Sequence, residues 1–97
     1  MDSPAPVDVI HNASLNRFEA HIDGALARLE YRMHDGLMII HHTEVPAALG
    51  GRGLGGMLVA AALAYARANA LKVSPTCSYA REWMKRHPES LDLLATP

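Results

Sequence analysis

Five of the seven glycines fall in one run, Gly50-Gly51-Arg52-Gly53-Leu54-Gly55-Gly56. An alanine-rich stretch with helical periodicity follows directly. Such a turn suits an anion. The first N–H groups of a helix have no internal partner, and the helix dipole puts partial positive charge there. Glycines let a pyrophosphate approach the backbone closely. Arg52 adds a full charge on a planar fork that matches phosphate oxygens. The plain alternative is a tight turn before a helix, but an ordinary turn rarely uses so many glycines. Gly51, Gly53 and Gly56 satisfy G-x-G-x-x-G, so a dinucleotide site must be considered. The context opposes it: the preceding segment reads as an antiparallel meander, and no acid stands near position 76, where a ribose-binding carboxylate is expected. A P-loop also fails, since no Gly-Lys-Ser/Thr follows.

Three further residues carry chemistry. Cys77 is the only cysteine, which excludes an internal disulfide framework and a Cys-rich zinc site. It stands just before a predicted helix, and a helix N-terminus favours the thiolate, the nucleophilic form of a thiol. A thiolate can attack a thioester and carry the acyl group. A small buried hydrophobe is the competing role. His42 and Glu44 share a face of a predicted strand, and either could take a proton from an amine. Their competing role is a polar residue in a hydrogen-bonded strand. Thr43 and Val45 point the other way. The remaining histidines (His11, His21, His34, His41 and His87) form no i, i+4 pair on a helix, and adjacent His41 and His42 face opposite sides. No metal site is expected.

The elements that must position these groups are legible from periodicity. Residues 17–23 alternate, with Phe18, Ala20 and Ile22 on one face. Asp23-Gly24 supplies a two-residue hairpin turn. The alternation resumes through Ala25–Met33, and His34-Asp35-Gly36 makes the next turn. Leu37–Val45 is a third strand, more apolar and therefore central, stopped by Pro46. A short strand at Val7–His11 can precede the meander. A helix over about Gly53–Asn69 places Leu54, Leu58, Ala62 and Tyr65 on one stripe and Val59, Leu63 and Ala66 on the next. Leu71–Ser74 reads as a short fourth strand, ending near Pro75. A helical crossover of this length favours its parallel, right-handed pairing with the third. Ser78 reads as the N-cap of a helix over Tyr79–Arg86. Pro88 ends that helix and opens a last one through Leu94. The fold class expected is therefore α+β: an antiparallel meander, a helical crossover to a parallel strand, then C-terminal helices.

Several of these segments resemble a known family. Gly50–Gly55 resembles the pyrophosphate motif of the GNAT N-acetyltransferase superfamily, Q/R-x-x-G-x-G/A. It matches the two later glycines and departs at the first position, where Gly50 replaces Gln or Arg. His42-Thr43-Glu44-Val45-Pro46, the glycine turn, Val73-x-Pro75-x-Cys77-x-Tyr79 and Arg86-His87-Pro88-Glu89 together resemble the small, minimal GNAT-like acetyltransferases, over about residues 17–94. The resemblance implies that acetyl-CoA binds with its pyrophosphate at Gly50–Gly56. It implies that the third and fourth strands splay, and that the pantetheine arm pairs near Thr43 and Val45. Cys77 matches the position proposed as catalytic in that family. The acceptor would be an amine of a small molecule or protein. The chain is shorter than a typical GNAT domain, and the resemblance implies that it lacks the N-terminal helices that usually shape the acceptor pocket. A coenzyme A-binding module without turnover is the second reading.

Composition sets the outer limits. A chain of 97 residues, 49% hydrophobic and 20% charged, fits one globular domain, expected over residues 7–97 behind a flexible lead at 1–6. Formal net charge is -1, and basic and aromatic residues do not interleave, so no nucleic-acid partner is expected. Charge is nonetheless uneven. Seven acids and three bases give -4 over residues 1–48, while six bases and three acids give +3 over 49–97. A basic second half suits a compact anionic ligand. No secretory signal and no membrane span is read, and the free thiol points to a reducing cytoplasm.

Overall fold

Two Asp-Gly turns organise the sheet. Asp23 and Gly24 have φ of 51° and 77°, and Asp35 and Gly36 have 48° and 77°. Two successive left-handed residues give the turn geometry that matches the twist of flanking strands. In the computed structural model, which describes residues 8–95, these turns join three strands behind a short first one. The strands are β1 (Val9–Asn12), β2 (Arg17–Ile22), β3 (Ala25–His34) and β4 (Leu37–Glu44). Helix α1 (Leu54–Ala68) then crosses over to β5 (Lys72–Pro75). The sheet order is β1-β2-β3-β4-β5. Its first four strands are antiparallel, and β5 runs parallel to β4. Helix α2 (Ser78–Arg86) and a 3-10 helix (Pro88–Leu93) complete this α+β fold. The expected lead at 1–6 and the proposed strand start at Val7 lie outside the described residues.

One core unites the sheet and the helices. Phe18, Ala20, Ala27, Leu29, Met38 and Ile40 from the sheet pack with Leu58, Val59, Ala62 and Ala66 of α1, and Ala80 and Met84 of α2. Burying a side chain such as Leu29 contributes about 2 kcal/mol each time. No helix among the described residues is long and apolar enough to cross a membrane.

Strict alternation breaks at one place. Glu30 faces His42, but Tyr31 faces Ile40, so His41 is an extra residue on β4. This bulge bends the strand and resets its faces. Thr43 lies opposite buried Leu29 and so joins Ile40 on the core side, while His42 and Glu44 lie on the outer side. Pairing with β5 ends at the same point, with Ile40 opposite Pro75. The Ile40 carbonyl closes the ladder by accepting from the Thr76 N–H at 3.0 Å and the Cys77 N–H at 3.1 Å.

Local readings differ from the structure in four details. Cys77, not Ser78, is the cap residue of α2: Cys77 is extended, Ser78 is already helical, and no side chain caps the turn. The closing helix is 3-10 rather than α and ends at Leu93. An unforeseen 3-10 turn occupies Ala13–Leu15. Glu19 alternates outward as expected, yet it is buried, because Asn12, Arg17 and His21 close over its carboxylate.

Candidate functional site

The glycine run divides into two parts. Gly51 and Gly53 have φ of 82° and 73°, and a Cβ on either would meet nothing within 4 Å. Their backbone conformation calls for glycine, and the space beside them is open. Gly53 precedes α1, whose start has no side-chain cap and no acid in its first turn. Those N–H groups are available to an anion. This fits a phosphate-bearing ligand: an open cradle, uncapped donors and a nearby cation. The Arg52 guanidinium is half exposed and 3.8 Å from Asp23 in the β2–β3 turn, a separation at which the side chain is free to turn elsewhere.

Gly55 and Gly56 serve a different end. A Cβ on Gly55 would lie 2.6 Å from the tip of the Tyr79 ring, and one on Gly56 would lie 3.0 Å from Trp83 Nε1. Here glycine lets α2 pack onto the first turn of α1. The sequence did carry a signal for this, since Tyr79 and Trp83 are spaced i, i+4 on one helix face. Leu54 is 2% exposed, so its side chain belongs to the core and only its backbone faces the turn.

The bulge and the end of pairing open a split between β4 and β5. Cys77 sits half-buried at its base, and its Sγ–H donates toward Thr43 Oγ1 at 3.7 Å. Both α1 and Cys77 follow the carboxyl ends of parallel strands, where ligands of such sheets collect. Val45, just past β4, is half-buried against the core.

His42 and Glu44 do not converge with Cys77. They occupy the outer face of the sheet, where His42 Nε2 and Glu44 Oε1 are 3.0 Å apart. Arg28 donates to Glu44 at 3.3 Å and to Glu30 at 2.9 Å. The hydrogen bond from His42, followed by the charge of Arg28, holds the Glu44 carboxyl below its ordinary pKa. That favours an ion-paired carboxylate over a proton acceptor. Among the described residues, no three His, Cys, Asp or Glu side chains gather into a metal-holding group.

The comparisons with known proteins agree with this architecture. A family model described as GCN5-related N-acetyl-transferase matches residues 17–93. The chain belongs to the GCN5-related N-acetyltransferase family. Protein NATD1 from Gallus gallus is 30% identical over 92 residues, covering 91% of this chain and 83% of that protein. Protein NATD1 from Homo sapiens is also 30% identical, over 91% of this chain and 80% of its own length. The solution structure of a GCN5-like N-acetyltransferase candidate from Staphylococcus aureus superposes with a TM-score of 0.75 at 30% identity, covering 97% of this chain and 93% of that one. In this GCN5-related domain, the glycine turn, the split strands and Cys77 all lie inside the matched span.

Proposed function

We propose that this GCN5-related domain is an acetyl-CoA-dependent N-acetyltransferase, working in a reducing, cytoplasmic setting that keeps its thiol free. The observation that carries the reading is the β4–β5 split, with Cys77 and Thr43 meeting at its base beside the uncapped start of α1. The backbone of Gly50–Gly56 and the Arg52 fork would hold the pyrophosphate. The unpaired edge of β4 near Thr43 and Val45 would hold the pantetheine amides.

Two routes for the acetyl group follow. In the covalent route the Cys77 sulfur attacks the acetyl carbonyl, the bond from that carbonyl to the coenzyme A sulfur breaks, and the Cys77 proton ends on the departing thiol. An amine then attacks the acetyl-Cys77 thioester, forming an amide and returning its proton to Cys77. In the direct route the amine attacks the bound thioester and strand N–H groups stabilise the oxyanion; the bond to the coenzyme A sulfur then breaks, and the amine proton ends on that departing thiol. The outer-face position of His42 and Glu44 weighs against a base role for them in either route.

Intact-mass measurement after incubation with acetyl-CoA tests the covalent route. A gain of about 42 Da, the mass of one acetyl group, on wild type but not on Cys77→Ala supports it. Coenzyme A binding with neither adduct nor thiol release, whatever amine is offered, would leave a non-catalytic binding module. The position of His42 and Glu44 on the outer face of β4, opposite to the face from which Thr43 reaches Cys77, is what favours that second reading.

A further inference from the structure

Three donors converge on one carbonyl at the place where the sheet divides. The Ile40 oxygen accepts from the Thr76 N–H at 3.0 Å, the Cys77 N–H at 3.1 Å and the Thr76 hydroxyl at 3.2 Å. A carbonyl oxygen offers two lone pairs, and the two backbone donors suffice to fill them. The hydroxyl is therefore more than the carbonyl requires. Water would satisfy that hydroxyl as well, since Thr76 is exposed. It points at Ile40 nonetheless. Ile40 is the last β4 residue paired with β5, opposite Pro75, and it directly precedes the extra residue His41. The carbonyl thus sits where β4 bends.

This contact holds the short chain between β5 and α2. Pro75 has no N–H to give the ladder, and Arg81 reaches back from α2 to its carbonyl at 3.3 Å. Cys77 is extended and α2 begins after it without a side-chain cap. Residues 76 and 77 are tied to β4 by the Ile40 carbonyl and by the contact of Cys77 with Thr43. A thiol is a weak donor, so the 3.7 Å contact with Thr43 does not by itself fix where the sulfur points.

We propose that Thr76 is a positioning residue for the Cys77 sulfur, an inference that rests on the covalent route above. The hydroxyl adds a side-chain tie to the two successive N–H ties. Together they stop the chain at 76 and 77 from turning, and so hold the Cys77 side chain toward Thr43 in the split. Thr76 bonds a carbonyl rather than the sulfur, so it sets the direction of the thiol and not its acidity.

Thr76→Val keeps the branched shape and removes the donor, while Thr76→Ser keeps the donor. Time-resolved intact mass with acetyl-CoA reads acetyl transfer to Cys77, which needs an aligned approach. Iodoacetamide, which needs none, reads the reactivity of the same thiol across pH. Thr76→Val should slow acetyl transfer about tenfold and keep the wild-type coenzyme A affinity in calorimetry. Its alkylation should keep the wild-type rate and pH midpoint. Thr76→Ser should restore most of the acetylation rate. Acetyl transfer at the wild-type rate in Thr76→Val, or equal slowing in Thr76→Ser, would overturn the positioning role and leave the Cys77 route standing. A matching loss of alkylation would overturn it too, because the hydroxyl would then govern reactivity. So would a collapse of the Thr76→Val melting temperature, which would make the hydroxyl a structural clasp. Absence of any adduct on wild type at saturating acetyl-CoA would overturn the covalent route and this inference together.

Discussion

Cys77 Sγ lies 3.7 Å from Thr43 Oγ1, although 34 positions separate the two residues. The contact exists because β4 and β5 part after Ile40 and the chain turns back across the opening. Thr43→Val keeps the side-chain shape and removes the hydroxyl. It should change folding stability by no more than about 1 kcal/mol, yet slow acetylation of Cys77, since the hydroxyl is positioned to donate to a thiolate. Time-resolved intact mass reads the rate; an unchanged rate would exclude a role for Thr43 in the chemistry.

The bulge at His41 coincides with the end of β4–β5 pairing. Deleting His41 leaves Ile40 and Thr43 on the core face and His42 on the outer face, so the protein should still fold. A straightened β4 should narrow the split and weaken coenzyme A binding about tenfold or more. Calorimetry on the folded deletion variant checks this, and wild-type affinity would detach the bulge from binding.

Gly53 offers a substitution with opposed effects. Its φ of 73° is tolerated by Asp better than by most residues, and a carboxylate at a helix start is stabilising. Gly53→Asp should therefore hold stability within about 1 kcal/mol. The same carboxylate should repel a pyrophosphate and cut coenzyme A affinity about tenfold. Unchanged affinity would move the phosphates elsewhere.

Acid stability should fall in two separable steps. Burial against Phe18, Tyr31 and Tyr65 holds the His11 pKa below its ordinary 6.5. The unfolded chain takes up that proton first, so this contribution is complete above pH 6.5 and is lost as pH falls below it. Hydrogen bonds from His21 and then Arg17 hold Glu19 at about 2, against 4.5. Its contribution is complete above 4.5 and lost as pH falls towards 2. Urea melts across pH should show His11→Phe flattening the upper step and Glu19→Gln the lower one.

Ala70 has a φ of 54° at the exit of α1, where the Leu71 N–H reaches back to the Ala66 carbonyl at 2.8 Å. Glycine is the residue suited to this position. Ala70→Gly should raise stability by about 0.5 kcal/mol, the relief of left-handed strain being partly offset by unfolded-chain entropy. A denaturant melt that moved the other way would show that the Ala70 methyl contributes packing.

The rules that operate over a few residues were readable without the structure. Alternation at Phe18, Ala20 and Ile22, the two Asp-Gly turns, the stripe Leu58–Ala62–Tyr65 and the placement of the glycine run depend on neighbours in the chain. They defined the meander, the crossover and the position of the candidate phosphate turn. Which strand register β4 adopts depends on β3, and that partner introduced the bulge at His41. How far β4 and β5 stay together depends on that bend, and it brought Thr43 to Cys77 while sending His42 and Glu44 to the other face. The division of the glycines likewise needed α2, whose Tyr79 and Trp83 occupy the space that side chains at 55 and 56 would fill. Glu19 looked solvent-facing by alternation and became buried under side chains from β1 and β2. In each case the deciding contact joins side chains or strands that only the folded chain brings together, so no local pattern could encode it.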